Sequence, residues 1–214
     1  HGVFRRQRQM CIRDSPESLN ALSPALFSEL NQIVTELSKQ TDSVGCVILR
    51  GAGRCFSAGN DLKAVRSGVK AKEKFFQAKT IDLVEKLPQP TIASVHGHCL
   101  TGALELAIAC DLMITSESAN LADTHGKWGM VPGWGMSVRL PRRVGLLKAK
   151  EMMFTGMSIN GLQAVEIGLS SQCVADDHLK VSTLDLAESI VKNSWHTNFA
   201  DKKLFLDNEN HFHD

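Results

Sequence analysis

PTIASVHGHCLTGALELAIACDL, Pro90 to Leu112, holds three patterns in a row. Thr91 to Val95 is a short apolar run with the β-branched content of a buried strand. Gly97 to Gly102 is a glycine-punctuated loop, and Ala103 to Cys110 continues as an apolar helix with one carboxylate, Glu105, in its first turn. A strand, a glycine loop and a helix start leave backbone N–H groups unpaired and facing outward. A lone carboxyl among Ala, Leu and Ile is expected to titrate above its ordinary range and to trade protons near neutrality. Amides able to hold an anion beside a poised acid suit catalysis.

A second segment has the same form. Residues 47–63, VILRGAGRCFSAGNDLK, read as a strand, a turn and another glycine loop. Around these two units the chain alternates between strand and helix patterns. Ser23-Pro24 reads as N-cap and first helical position, and Leu26, Leu30, Ile33, Val34 and Leu37 recur at helical spacing to about Lys39. Val44 to Leu49 and Leu112 to Thr115 read as strands, and Lys70 to Leu87 as a helix. Further helices are expected at 136–141, 146–154, 160–167 and 178–193. Strands alternating with helices predict an α/β fold with parallel pairing and right-handed crossovers.

Composition excludes several classes. A chain of 214 residues with 43% hydrophobic and 22% charged residues is an ordinary globular domain. A net charge of +1 gives no reason to expect a nucleic-acid partner. No apolar run approaches the roughly 20 residues that span a bilayer. The six cysteines show neither a CxxC pair nor zinc-type spacing, the eight histidines show no HxxxH pair, and no metal site is inferred. Cysteines in apolar segments suit a reducing compartment. Gly97 and Gly102 have P-loop spacing, but Ala103-Leu104 stand where Lys and Ser/Thr are required. No G-x-S-x-G elbow is present.

The ordered blocks FSAGNDLK, PTIASVHGHCLTGALELAIACDL and GMVPGWGMSVRLPRRVG resemble the enoyl-CoA hydratase/isomerase (crotonase) superfamily, from about Pro16 to about Val174. The resemblance implies an α/β crotonase-like ββα spiral with parallel-type sheets and a C-terminal helical region, shortened here. It divides the chain into residues 1–15, a non-native or disordered leader (Arg-rich, without an apolar h-region), a spiral core at 16–175 and a helical region at 176–214. It implies an acyl-CoA thioester as substrate, coenzyme A being part of the substrate rather than a cofactor. It further implies a homotrimer or dimer of trimers, in the cytoplasm or the mitochondrial matrix.

The resemblance also assigns residues. The backbone N–H groups of Asn60 and Gly102 are expected to form an oxyanion hole, and Ala58, Asp61, Leu62, Lys63 and Trp134 to contact the substrate. Glu105 matches one of the two hydratase glutamates. The second is absent: counting back from Gly129 and Val131-Pro132-Gly133, His125 stands in its place. Imidazole can exchange protons near neutrality, so Glu105 and His125 form a candidate acid/base pair. Alternatives stay open. His125 is a second partner or a satisfied polar residue, and Asp123 a further acid or the group that orients His125. Lys63 meets the CoA phosphates or is merely solvated, and Trp134 reshapes the acyl pocket or packs beneath its loop. Arg139, Arg142 and Arg143 read as structural or interface residues. Hydration of a 2-enoyl-CoA is the expected reaction. Isomerisation, another enolate-forming reaction, or thioester binding without turnover are the alternatives.

Overall fold

Two apolar runs lie at the centre of the molecule: β2 (Val44–Arg50) and β3 (Thr91–Val95), buried along almost every residue. Such runs, without polar alternation, belong to parallel strands covered on both faces. The structure, a computed structural model, describes residues 6–11, 18–61 and 73–211. β2 and β3 pair in parallel, β3 pairs with β5 (Leu112–Ser116), and β5 with β8 (Gln172–Val174), all in the same sense. β1 (Arg6–Cys11) completes the five-stranded sheet by parallel pairing with β2, in the order β1-β2-β3-β5-β8. Within the segment 1–15, read from sequence as a non-native or disordered leader, Arg6–Cys11 forms this strand. An edge strand needs backbone partners more than an apolar pattern, so its polar sequence masked it.

Alternation along the strands divides the core. Val47, Leu49, Ala93, Val95 and Met113 face the larger cluster, with α1 (Pro24–Leu37), α2 (Phe76–Glu85) and α3 (Gly102–Ala107). Cys46, Ile48, Ile92 and Ile114 face the other side and pack on Leu179 and Ala187 of α7 (Leu179–Lys192). Ser23 caps α1, its hydroxyl accepting from the Leu26 amide at 3.2 Å, and Pro24 opens the helix as read from sequence. The helix read over Lys70–Leu87 is α2 within the described residues, while 70–72 lie outside them.

A second, smaller sheet explains the spiral. β4 (His98–Leu100) pairs in parallel with β6 (Asn120–Ala122), which pairs antiparallel with β7 (Ser158–Asn160). The chain passes from β3 in the large sheet to β4 in the small one, and again from β5 to β6. The segment read as a loop, Gly97 to Gly102, thus contains a strand. The helices α4 (Met136–Val144), α5 (Leu146–Thr155), α6 (Gly161–Glu166) and α8 (Trp195–His211) complete the chain. α8 is tied down by Lys202, whose ammonium donates to the Asp111 carboxylate at 2.7 Å and to the Gln89 carbonyl at 3.1 Å.

Candidate active site

Three chain segments run side by side where the two sheets meet. Ser57 forms a parallel bridge with Cys99, and Leu22 one with Asn60. The second bridge uses the Gly59 carbonyl, accepting from Leu22 at 2.8 Å, and the Asp61 amide, donating to the Leu22 carbonyl at 3.4 Å. The Asn60 N–H between them is therefore turned to the opposite side, towards the end of β4. Gly59 is required there: at φ +95 a Cβ would stand 2.6 Å from the Leu100 carbonyl oxygen and 2.3 Å from the Thr101 hydroxyl.

Gly102 opens α3, so its N–H has no acceptor within the helix. A Cβ on Gly102 would lie 2.3 Å from Cζ3 of the Trp134 ring, which meets Phe27 edge-on at 4.9 Å. Thr101, between β4 and α3, holds φ 49 and ψ −115, a conformation normally left to glycine.

Glu105 is 1% exposed. Its Oε1 accepts from the amides of Trp134 at 2.7 Å and Met136 at 3.1 Å, which pins the carboxyl to the start of α4. Its Oε2 is buried and, among the described residues, has no hydrogen-bond partner. Nε2 of His125 lies 3.7 Å from it. Burial pushes the Glu105 carboxyl above its ordinary range, and the nearby Asp123 charge adds to this. The two amides and His125 pull the other way without cancelling it. His125 begins a short 3₁₀ turn, His125–Trp128, after β6. Asp123 Oδ1 lies 2.6 Å from its Nδ1 and accepts from its backbone N–H at 3.1 Å.

These groups line a cavity of about 240 Å³. Of the residues picked from sequence, Ala58, Asn60, Glu105, His125 and Trp134 line it, and Gly102 adjoins it behind the Trp134 ring. Asp61 is not part of the lining, and Leu62 and Lys63 lie outside the described residues. Sequence reading missed Thr101, Trp128, Met130 and Val131 in the wall, and the Trp134 and Met136 amides that hold Glu105. The glycines around Trp134, just before a helix, were the available signal. A larger cavity, about 490 Å³, lies between the end of α3, α4 and α8. There Lys202 pairs with Asp111, and Arg139 with Asp82 and Glu85. Among the described residues, the smaller cavity is the one with an unpartnered carboxylate oxygen facing an imidazole, which makes it the candidate site. Among the described residues no group of three or more His, Cys, Asp or Glu is placed to hold a metal ion. An acid held by burial, an imidazole opposite it and two outward amides can move a proton and stabilise an anion.

Comparison with known proteins shows the family. The sequence profile described as enoyl-CoA hydratase/isomerase matches residues 9–210. The chain is 34% identical to a probable peroxisomal enoyl-CoA hydratase of Arabidopsis thaliana, over 83% of this chain and 67% of that one. It is 38% identical to a putative enoyl-CoA hydratase/isomerase of Bacillus subtilis, over 83% and 70% respectively. The chain thus spans about two thirds of the length of these relatives. The fold matches an enoyl-CoA hydratase from Bacillus anthracis with a TM-score of 0.84 at 36% identity, covering 91% of this chain and 76% of that one. It also matches a monofunctional enoyl CoA isomerase from M. smegmatis, with a TM-score of 0.80 at 28% identity, over 94% and 88%.

Proposed function

Because the chain belongs to the enoyl-CoA hydratase/isomerase family, we propose that it adds water across the 2,3-double bond of an enoyl-CoA thioester in the cavity around Glu105. The observation that carries this reading is the Glu105 Oε2 atom, buried, unpartnered and 3.7 Å from His125 Nε2. Burial disfavours the ionised form of this carboxyl, which suits it to give a proton in this step, and the imidazole has a nitrogen to receive one.

The steps balance on these groups. A water oxygen forms its bond to C3 while the C2–C3 π pair moves through the thioester to its oxygen. The water proton passes to His125 Nε2. The amides of Asn60 and Gly102 hold the enolate oxygen, an effect worth about 2.7–4 kcal/mol per donor in comparable sites. The enolate then takes the Glu105 proton at C2. Transfer from His125 to Glu105 across the short gap restores the pair. Coenzyme A enters as part of the substrate, and no resident cofactor is needed for the balance. The Trp134 ring, seated between Gly102 and Phe27, closes the cavity towards α1.

Hydration of crotonyl-CoA tests the reading. Glu105→Gln should lower kcat by about 10²–10⁴-fold with thioester binding retained, and His125→Ala should lower it comparably. A native rate in His125→Ala would remove the imidazole from the reaction. A second reading, migration of the double bond, has one specific support: among the described residues Glu105 is the one carboxylate in the lining, and moving a proton between C2 and C4 takes a single base. Product analysis on a 3-enoyl-CoA separates the two. Self-association is part of the proposal, supported by Val131, Leu147 and Phe154, which are 86%, 83% and 81% exposed. Sedimentation velocity reads it directly. The free thiols of Cys46, Cys55, Cys99, Cys110 and Cys173 support a reducing compartment.

A further inference from the structure

We propose that Asp123 is a positioning residue for this site: its carboxylate fixes the His125 ring so that Nε2 is the nitrogen that accepts the proton, and balances the charge the ring then carries. The inference rests on the acid/base reading of Glu105 and His125, and its test separates the two.

The geometry is specific. Asp123 is 1% exposed and follows directly on β6. One of its oxygens, Oδ1, serves both the backbone N–H of His125, at 3.1 Å, and the ring Nδ1, at 2.6 Å. The backbone bond anchors the carboxylate to the turn, and the ring bond then sets the plane of the imidazole. A carboxylate only accepts, so Nδ1 must carry its hydrogen, and a neutral ring then presents a lone pair at Nε2. That lone pair is turned to Glu105 Oε2 across 3.7 Å. The opposite tautomer would place two acceptors at the Asp123 contact and an N–H where a proton acceptor is needed.

Among the described residues, two ionisable side chains stand against the His125 ring. Glu105 faces it from α3 and Asp123 from the end of β6, and the other cavity residues around its turn, Thr124, Trp128 and Met130, do not ionise. Lys127, on the same turn, is directed to Gly156, where a Cβ would stand 2.7 Å from its Cε. When His125 accepts a proton from water, the positive charge forms in a buried place, which is costly without a partner. Asp123 is already in contact with the ring that takes this charge.

Two measurements test the proposal. In protein labelled with ¹⁵N-histidine, with the resonances of His125 identified by their loss in His125→Gln, the native ring at about pH 8 should show a protonated Nδ1 and a bare Nε2. In Asp123→Ala the two tautomers should mix. A native ring carrying its hydrogen on Nε2, or an unchanged tautomer in Asp123→Ala, overturns the inference. Asp123→Asn keeps the shape and an acceptor but removes the charge, and covers the case in which the alanine variant fails to fold. It should lose about tenfold or more in kcat while KM stays within about twofold and the melting temperature stays near native. A purely structural role would lower stability and leave kcat per folded molecule unchanged, and that result also overturns the inference. Should the native protein turn over no enoyl-CoA, the acid/base reading fails, while the imidazole resonances still decide whether Asp123 sets the tautomer.

Discussion

Glu105 shows how a reactive group costs stability. Its folded value lies above the ordinary carboxyl value of 4.5, chiefly because burial disfavours the charged form. A group raised in this way contributes its full share below the unfolded value and loses it as pH rises through the folded one. Glu105→Gln cannot ionise, so it should melt above the native protein at about pH 8, and its lead should shrink as pH falls towards about 4. A constant difference across that window would show that Glu105 is not the group titrating. Thr101 is the second costly residue, with a β-branched side chain at φ 49. Such strain costs on the order of 1–3 kcal/mol, offset in part by the chain entropy a glycine would add. Thr101→Gly should therefore leave unfolding free energy unchanged or raise it by about 1 kcal/mol. Loss of stability in urea unfolding would contradict strain at this position. The carboxyl was legible in the sequence because an acid among Ala, Leu and Ile has few other uses. The strain was not, since φ is set by the join between β4 and α3.

Arg139 joins elements on which the site depends. Its Nε and Nη2 fork the two oxygens of Glu85 at 2.9 and 2.7 Å, Nη2 reaches Asp82 at 2.6 Å, and Nη1 donates to the Trp134 carbonyl at 2.8 Å. The guanidinium thereby fastens α4 to α2 and holds the segment whose amides grip Glu105. Removing one partner of a fully buried pair costs about 3–5 kcal/mol. The Asp82 side chain is 49% exposed, so Arg139→Ala should cost less, about 2 kcal/mol. It should also lower kcat, because Glu105 loses the fixed position of its two amides. Unchanged kinetics with lowered stability would limit the clamp to folding. Read from sequence, Arg139 was a structural or interface residue, and the structural half of that reading agrees with these contacts. Its target, a backbone carbonyl, leaves no trace in the pattern of side chains.

At the scale of the whole molecule, the large sheet is closed on one side by β1. Its pairing with β2 covers a strand whose residues are nearly all buried. Deleting residues 1–11 should expose the Val44–Arg50 edge, lower the melting temperature and promote concentration-dependent aggregation. A deletion variant that melts like the native protein and stays monodisperse would show that β1 adds nothing. The small sheet makes the complementary point. β4, β6 and β7 have three residues each, too few for any periodicity to register, and they exist because β3 and β5 deliver the chain to the same place.

Sequence alone determined the long apolar strands, the amphipathic α1 with its Ser-Pro start, and a buried acid beside two glycine loops. Each of these follows from local chemistry: side-chain periodicity, cap residues and the cost of burying a charge. Tertiary structure alone decided that His125 stands opposite the free oxygen of Glu105, that Asp123 holds the ring from behind, and that the amides of Trp134 and Met136 hold the other oxygen. Those contacts join residues as much as 31 positions apart, and many are made by backbone groups that every residue possesses. Only the path of the chain between the two sheets selects which of them meet.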